Sequence, residues 1–142
     1  MGGAFELDQF PSRTEVVLQE RDTDHLGHVN HNVFVNLLET GRIEIFLAEG
    51  NGLPSAGCGL VLVSIHIDFL AEVFWPGTVE IGTRITRVGR SSVTTEQGIF
   101  QNGKCCATGV TVAAQMNMTS RRAEPMDDAA IAYLKRFVVE ST

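Results

Sequence analysis

Basic residues are scarce in this chain. Eleven Lys and Arg stand against 17 Asp and Glu, giving a formal net charge of -6 and a pI near 5.1. The basic residues form no stripe, so no nucleic-acid partner is expected. A phosphate-bearing ligand would have to be met by a local basic cluster. Cysteine is scarce too, with only Cys58, Cys105 and Cys106. An odd count without framework spacing excludes a disulfide scaffold and suggests reduced thiols in a cytoplasmic protein. No apolar run approaches the ~18 residues that a membrane span needs. The opening MGGAFELDQF has neither a basic n-region nor an apolar h-region, which argues against a secretory signal. Glu6 stands where N-myristoylation wants Ser or Thr. Internal repeats, linkers and low-complexity segments are also missing.

What is present is an ordinary globular balance, with 44% hydrophobic and 20% charged residues in 142. That length suits a single domain over residues 1–142 with a substantial core. Residues 1–12 read as a loose arm, and RTEVVLQE, Arg13 to Glu20, has a strand-like apolar centre. From Asn32 to Glu49 the residues Phe34, Leu37, Leu38, Gly41, Ile45 and Phe46 recur at helical spacing on one face. Gly41 on that stripe suggests close approach to a flat neighbour such as a sheet, since an exposed helical Gly costs ~1 kcal/mol. GNGLPSAGC, residues 50–58, is a loop.

Four strands then follow: Leu60 to Leu70, Thr78 to Val88, Ser91 to Gln101 and Lys104 to Met118. Asn102-Gly103 between the last two is a hairpin signal. A short C-terminal helix is predicted over 127–138, acidic at its start and basic near its end. The order β-α-β-β-β-β-α predicts an α+β fold in which one antiparallel sheet curls around one apolar helix.

One stretch concentrates polar chemistry. DTDHLGHVNHN, residues 22–32, holds His25, His28 and His31, three of the chain's four histidines. Three readings compete. As a metal site the run lacks the i, i+4 spacing of a zinc helix, and neither a Cys pair nor a distant carboxylate cluster completes a ligand set; no metal is expected. As a plain turn it needs no function, because Asp, Gly and Asn favour turns. As a chemical site it joins a carboxylate to a helix start. Free N–H groups and the positive end of the helix dipole there could polarise a carbonyl. Asp24 could attack that carbonyl or activate water, with Gly27 allowing the tight turn between Asp24 and His31. Asn30, or its neighbour, can cap the helix.

VVLQERDTDHLGHVNHNVFVNLLETGRIEIF closely resembles the first half of the hotdog-fold acyl-CoA thioesterases of the 4-hydroxybenzoyl-CoA thioesterase-like family. The matching elements are Asp22 and Asp24, Gly27, His28-Val29-Asn30, Phe34, and Glu39 with Arg42. IDFLAEVFWPGTVEIGTRITRVGRSSVTTEQGIFQNGKCCATG resembles the family's second half, so the likeness spans about residues 13–118. It implies a hotdog fold: a long central helix wrapped by a five-stranded antiparallel sheet, with a short C-terminal helix. The implied activity is hydrolysis of a CoA thioester to a carboxylate and free CoA. Coenzyme A enters as part of the substrate, and no cofactor is implied.

By the same resemblance Asp24 is the catalytic carboxylate, as nucleophile or as general base. The position of His31 supplies the N–H that polarises the thioester carbonyl, and its ring can orient substrate or water. Gly27, His28, Asn30 and Phe34 fall in the substrate site. Other members carry Ile or Val where this chain has His28, which argues against an obligatory role for that imidazole. His25 falls at a variable turn position. Arg87, Arg90, Ser91 and Ser92 are candidates for the CoA phosphates, with a plain hairpin turn as the alternative.

Glu39 matches a carboxylate used by other hotdog lineages, but its i, i+3 spacing from Arg42 favours a surface pair. His66, on an expected central strand, reads as a sheet-surface or interface histidine. Two departures stand out. Val63 and Ser64 occupy positions that are often Lys or Arg, a departure that could remove a phosphate or dimer contact. Glu72 occupies one that is often Pro, near the family's acyl or pantetheine channel, so acyl preference does not transfer. The family implies a homodimer, and in many members a homotetramer, with sites between subunits; an exposed strand edge supports self-association physically. An acyl-ACP thioesterase, a hydratase (whose signature is not evident) and a non-catalytic acyl-CoA-binding module remain alternatives, because a fold does not fix a function.

Overall fold

The computed structural model describes residues 5–24 and 26–139. Five strands are present: β1 (Ser12–Val17), β2 (Cys58–Phe69), β3 (Thr78–Val88), β4 (Ser92–Gln101) and β5 (Lys104–Asn117). They form one antiparallel sheet in the order β1-β3-β4-β5-β2. Two helices join it, α1 (His31–Phe46) and α2 (Asp128–Lys135). The predicted α+β order therefore holds. The Asn102-Gly103 turn joins β4 to β5 with φ of 52° and 80°, the left-handed pair that a tight hairpin turn requires.

α1 lies across the inner face of the sheet because its apolar stripe has nowhere else to go. Phe34, Leu38 and Ile45 are each at most 2% exposed, and burying such a side chain contributes about 1.5–3 kcal/mol. Leu38 and Phe34 pack on Ile81, Ile99 and Ala107 at one end of the helix. Ile45 and Phe46 pack on Ile85, Val93 and Leu134 at the other.

Between the two ends, Gly41 makes the close approach its place on the stripe predicted. A Cβ there would fall 2.7 Å from Ile81 Cγ2 and 2.8 Å from Thr83 Oγ1. Gln97 fills the space beside it, donating from Nε2 to Leu38 O (2.8 Å) and Thr83 Oγ1 (3.0 Å).

Several sequence expectations are corrected. β1 stops at Val17 because Glu20–Asp22 form a 3-10 turn, in which Asp22 Oδ2 accepts from the Gln19 N–H at 2.8 Å. α1 stops at Phe46 because the Asn51 amide donates to the Ile45 and Phe46 carbonyls at 3.2 and 3.0 Å. α2 stops at Lys135 because the chain then pairs with β3, Ile85 donating to Phe137 O and Val139 to Ile85 O. Arg42 does not form the surface pair expected with Glu39. It is buried and donates to Gln97 Oε1 at 3.2 Å; burial pushes its guanidinium pKa down, partly opposed by the Glu39 charge. β2 is an edge strand, not a central one. His66 is on it, exposed, with Nε2 3.1 Å from Asp68 Oδ1.

Candidate active site

Short backbone contacts build the site. Thr23 pairs with Val29 across a turn, in which Asp24 N donates to His28 O at 2.8 Å and Gly27 N to Asp24 O at 3.3 Å. Gly27 sits at φ +83°, a region that disfavours side chains, so the turn depends on glycine. The segment after β2 then returns beside this turn. Val29 N donates to Val73 O at 2.8 Å, and His28 bridges Phe74. A cavity of about 370 Å³ opens between the two segments, lined by Asp24 and His28 to His31 on one side and by Phe69 to Val73 on the other, with Phe34 at its base.

Asp24 lines this cavity, and the turn itself holds one of its carboxylate oxygens. Asp24 Oδ1 accepts from the N–H groups of Leu26 (2.8 Å) and His28 (3.2 Å). The start of α1 faces the same space. Asn30 is the cap, as predicted, accepting from Asn32 N at 3.4 Å through its side chain, while its carbonyl accepts from Val33 N at 2.9 Å. The His31 N–H is left as a first-turn donor without a partner among the described residues. Such a donor at the positive end of a helix suits a carbonyl oxygen that gains charge.

Rings form one wall. The His31 imidazole stacks on Phe69 at 4.4 Å between centroids, and Phe69 lies 5.2 Å from Phe34. A second imidazole stands across from it. His28 Nδ1 is 3.2 Å from Glu72 Oε1, and its ring meets Phe74 edge-on at 5.1 Å.

Six of the predicted positions thus gather here: Asp24, Gly27, His28, Asn30, His31 and Phe34. His25 falls outside the described residues. Arg87, Arg90, Ser91 and Ser92 do not join them. They lie on the β3–β4 hairpin at the opposite end of the sheet, where Ser92 pairs with Ala114 near the Cys58 end of β2. There the Arg90 and Ser91 carbonyls anchor Met126 N and Gln115 N.

Glu39 is exposed on α1, beside a second cavity of about 240 Å³ between α1 and the first half of β2. The sequence reading missed Phe69 and Phe74 and saw Glu72 only as a departure. No local signal marks these residues, because the pairing that brings them to Asp24 joins segments over forty positions apart. Among the described residues no group of three His, Cys, Asp or Glu could hold a metal ion.

A long helix wrapped by a five-stranded antiparallel sheet is the hotdog fold, and known proteins bear out that class. A profile of the thioesterase-like superfamily matches residues 18–134. A Pseudomonas aeruginosa protein of known structure is similar over 99% of this chain and 100% of its own, with 25% identity and a TM-score of 0.88. A predicted thioesterase from Bacillus stearothermophilus shares 28% identity over 92% of this chain and 98% of its own (TM-score 0.84). A thioesterase from Thermus thermophilus, complexed with coenzyme A and Zn, shares 29% over 89% and 98% (TM-score 0.76). Comparison with curated proteins gave no match. The chain belongs to the thioesterase-like superfamily.

Proposed function

We propose that this protein hydrolyses acyl-CoA thioesters to a carboxylate and free CoA, with Asp24 as the reacting carboxylate and the His31 N–H as the donor to the thioester oxygen. One observation carries the reading. A carboxylate oriented by two backbone N–H groups shares a cavity with an unpartnered helix N-terminal N–H. The carboxylate supplies an oxygen nucleophile or activates water, and the N–H donates to the oxygen on which charge develops. The scheme draws on no metal. The Phe34–Phe69–His31 wall suits an acyl group, and substrates carried on coenzyme A fit the relative described with that molecule.

The chain works as a homodimer in this reading, with a homotetramer as its possible doubling. β2 is an edge with Leu62 48% and Val63 62% exposed, a surface open to strand pairing. An antiparallel β2–β2 pairing runs one copy's Cys58 end beside the other's Phe69 end. That carries the Arg87–Ser92 hairpin of one copy toward the cavity of the other, a route by which it could meet CoA phosphates. Three free thiols and the lack of any helix long and apolar enough to cross a membrane among the described residues fit a cytoplasmic setting.

The test is a panel of aromatic, short-chain and long-chain acyl-CoAs, followed by release of free thiol, with wild type and Asp24→Asn. Hydrolysis by wild type and its loss in the variant, with acyl-CoA still bound, is the expected result. If wild type cleaves none of the panel yet binds it, the protein is an acyl-CoA-binding module instead.

A further inference from the structure

We infer that His28 and Glu72 form a proton-transfer pair in which His28 Nε2 is the base for the hydrolytic water and Glu72 positions the ring. This rests on the thioesterase reading above and adds a residue to its chemistry. Glu72 Oε1 lies 3.2 Å from His28 Nδ1. A carboxylate at that distance accepts only, so it favours a proton on Nδ1, the tautomer whose lone pair is at Nε2. His28 lines the same cavity as Asp24 with its side chain 31% exposed, while the Glu72 side chain is 59% exposed. Phe74 packs edge-on against the imidazole at 5.1 Å and limits its rotation.

The main chain locks the two groups together. His28 N donates to Asp24 Oδ1, so one residue orients the carboxylate with its backbone and offers a base with its side chain. A bare surface ion pair would be expected to do little. This one sits at the reacting carboxylate, between segments joined by the Val29–Val73 hydrogen bond.

The chemistry favours an imidazole for the proton. Histidine is the side chain most often used to carry a proton in such a step. With the base supplied, Asp24 takes the nucleophile's part. Its carboxylate oxygen bonds to the thioester carbon, and the C–S bond breaks with its electron pair leaving on the thiolate. Water then bonds to the acyl carbon of the anhydride while His28 Nε2 takes one of its protons. The C–O bond to Asp24 breaks, restoring the carboxylate and releasing the acid. The imidazolium gives its proton to the CoA thiolate, which completes thioester plus water to acid plus thiol.

The experiment compares kcat and KM for wild type, His28→Gln, Glu72→Gln and the double variant on the best substrate of the panel. The expected kcat loss is about 10²- to 10³-fold for His28→Gln. About 10-fold is expected for Glu72→Gln, with KM changed less than about threefold in each. The double variant should lose no more than His28→Gln alone, since the two residues act as a unit. Added imidazole should restore rate to His28→Ala, 4-methylimidazole more so, and the similarly shaped weak base pyrazole not at all. A purely structural role would not follow base strength. If wild type is active and either single variant keeps kcat within twofold, or the losses simply add and no base rescues, the pair is not the proton carrier and only this inference falls. If wild type cleaves no thioester, the thioesterase reading falls and takes this inference with it.

Discussion

The two ends of α1 rest on the same sheet and are finished in opposite ways. At the Phe46 end three of the last four carbonyls have been answered. Ile45 O accepts from Asn51 Nδ2 (3.2 Å) and from the Tyr133 hydroxyl (2.7 Å), Phe46 O accepts from Asn51 Nδ2 (3.0 Å), and Ile43 O from Leu47 N (3.0 Å). At the His31 end Asn30 answers two donors and leaves the His31 N–H open toward a cavity. A helix terminus left polar and half open costs stability that a sealed one does not. The sealed end is therefore built for stability, and the open end holds the groups that could meet a ligand. Asp24, His28 and Glu72 all stand at the open end.

Breaking the open end should be felt in rate and hardly in stability. Asp24→Asn keeps an oxygen for the Leu26 and His28 N–H groups but removes the charge that attacks or activates. Thiol release from acyl-CoA should fall by about 10³-fold or more, equivalent to about 4 kcal/mol. The denaturation midpoint in urea should move by less than about 1 kcal/mol. An unchanged rate would end the case for a difference in function between the two helix ends.

The seat shared by both ends comes next. Gly41→Val would place carbon atoms 2.7 Å from Ile81 Cγ2 and 2.9 Å from Gln97 Nε2. Overpacking of that kind costs about 3 kcal/mol, more than the ~1 kcal/mol gained by removing a helical glycine. Urea unfolding should show a net loss, and activity should fall as α1 shifts. Asn51→Ala then isolates the sealed end. It removes three hydrogen bonds, two of them buried and the third, accepted by its Oδ1 from Leu53 N, half-buried. The expected loss is about 1–3 kcal/mol of stability at unchanged kcat. A drop in kcat as large as that of Asp24→Asn would mean the two ends are not separable.

What the sequence shows and what it hides divide along the same helix. The apolar stripe, the Asn30 cap, the close seat at Gly41 and the Asn102-Gly103 hairpin are local patterns, and each is present where spacing or turn chemistry predicted it. The gathering of Asp24, Gly27, His28, Asn30, His31 and Phe34 is also local, since one strand-to-helix turn carries them all. Non-local pairing was hidden. Nothing in IDFLAEVFW announces that Val73 will bond Val29 and bring Glu72 to His28. The edge position of β2 is of the same kind, because strand order is decided by which strands meet and not by any strand's own alternation. Arg42 misled for a physical reason: spacing allowed a pair with Glu39, but a buried amide, Gln97, lay within reach.

The smallest expected effect sharpens the comparison most. Asn30→Ala deletes a cap whose bond to Asn32 N is long, at 3.4 Å, so its cost should lie at the low end of the ordinary range, about 0.5–1 kcal/mol. That is less than Asn51→Ala, although both remove one asparagine from one end of one helix. Asn30→Asp makes the finer test. It keeps the acceptor and puts a negative charge beside the helix dipole, which alone would stabilise α1 by a few tenths of a kcal/mol. The same charge stands in the cavity with Asp24 and would weaken the His31 N–H as a donor to a developing oxyanion. If the open end serves chemistry, Asn30→Asp should be as stable as wild type or slightly more so, yet severalfold slower in kcat. A variant that gained stability and kept its rate would show that the unpartnered N–H at His31 is an ordinary frayed terminus, no different in kind from the sealed one.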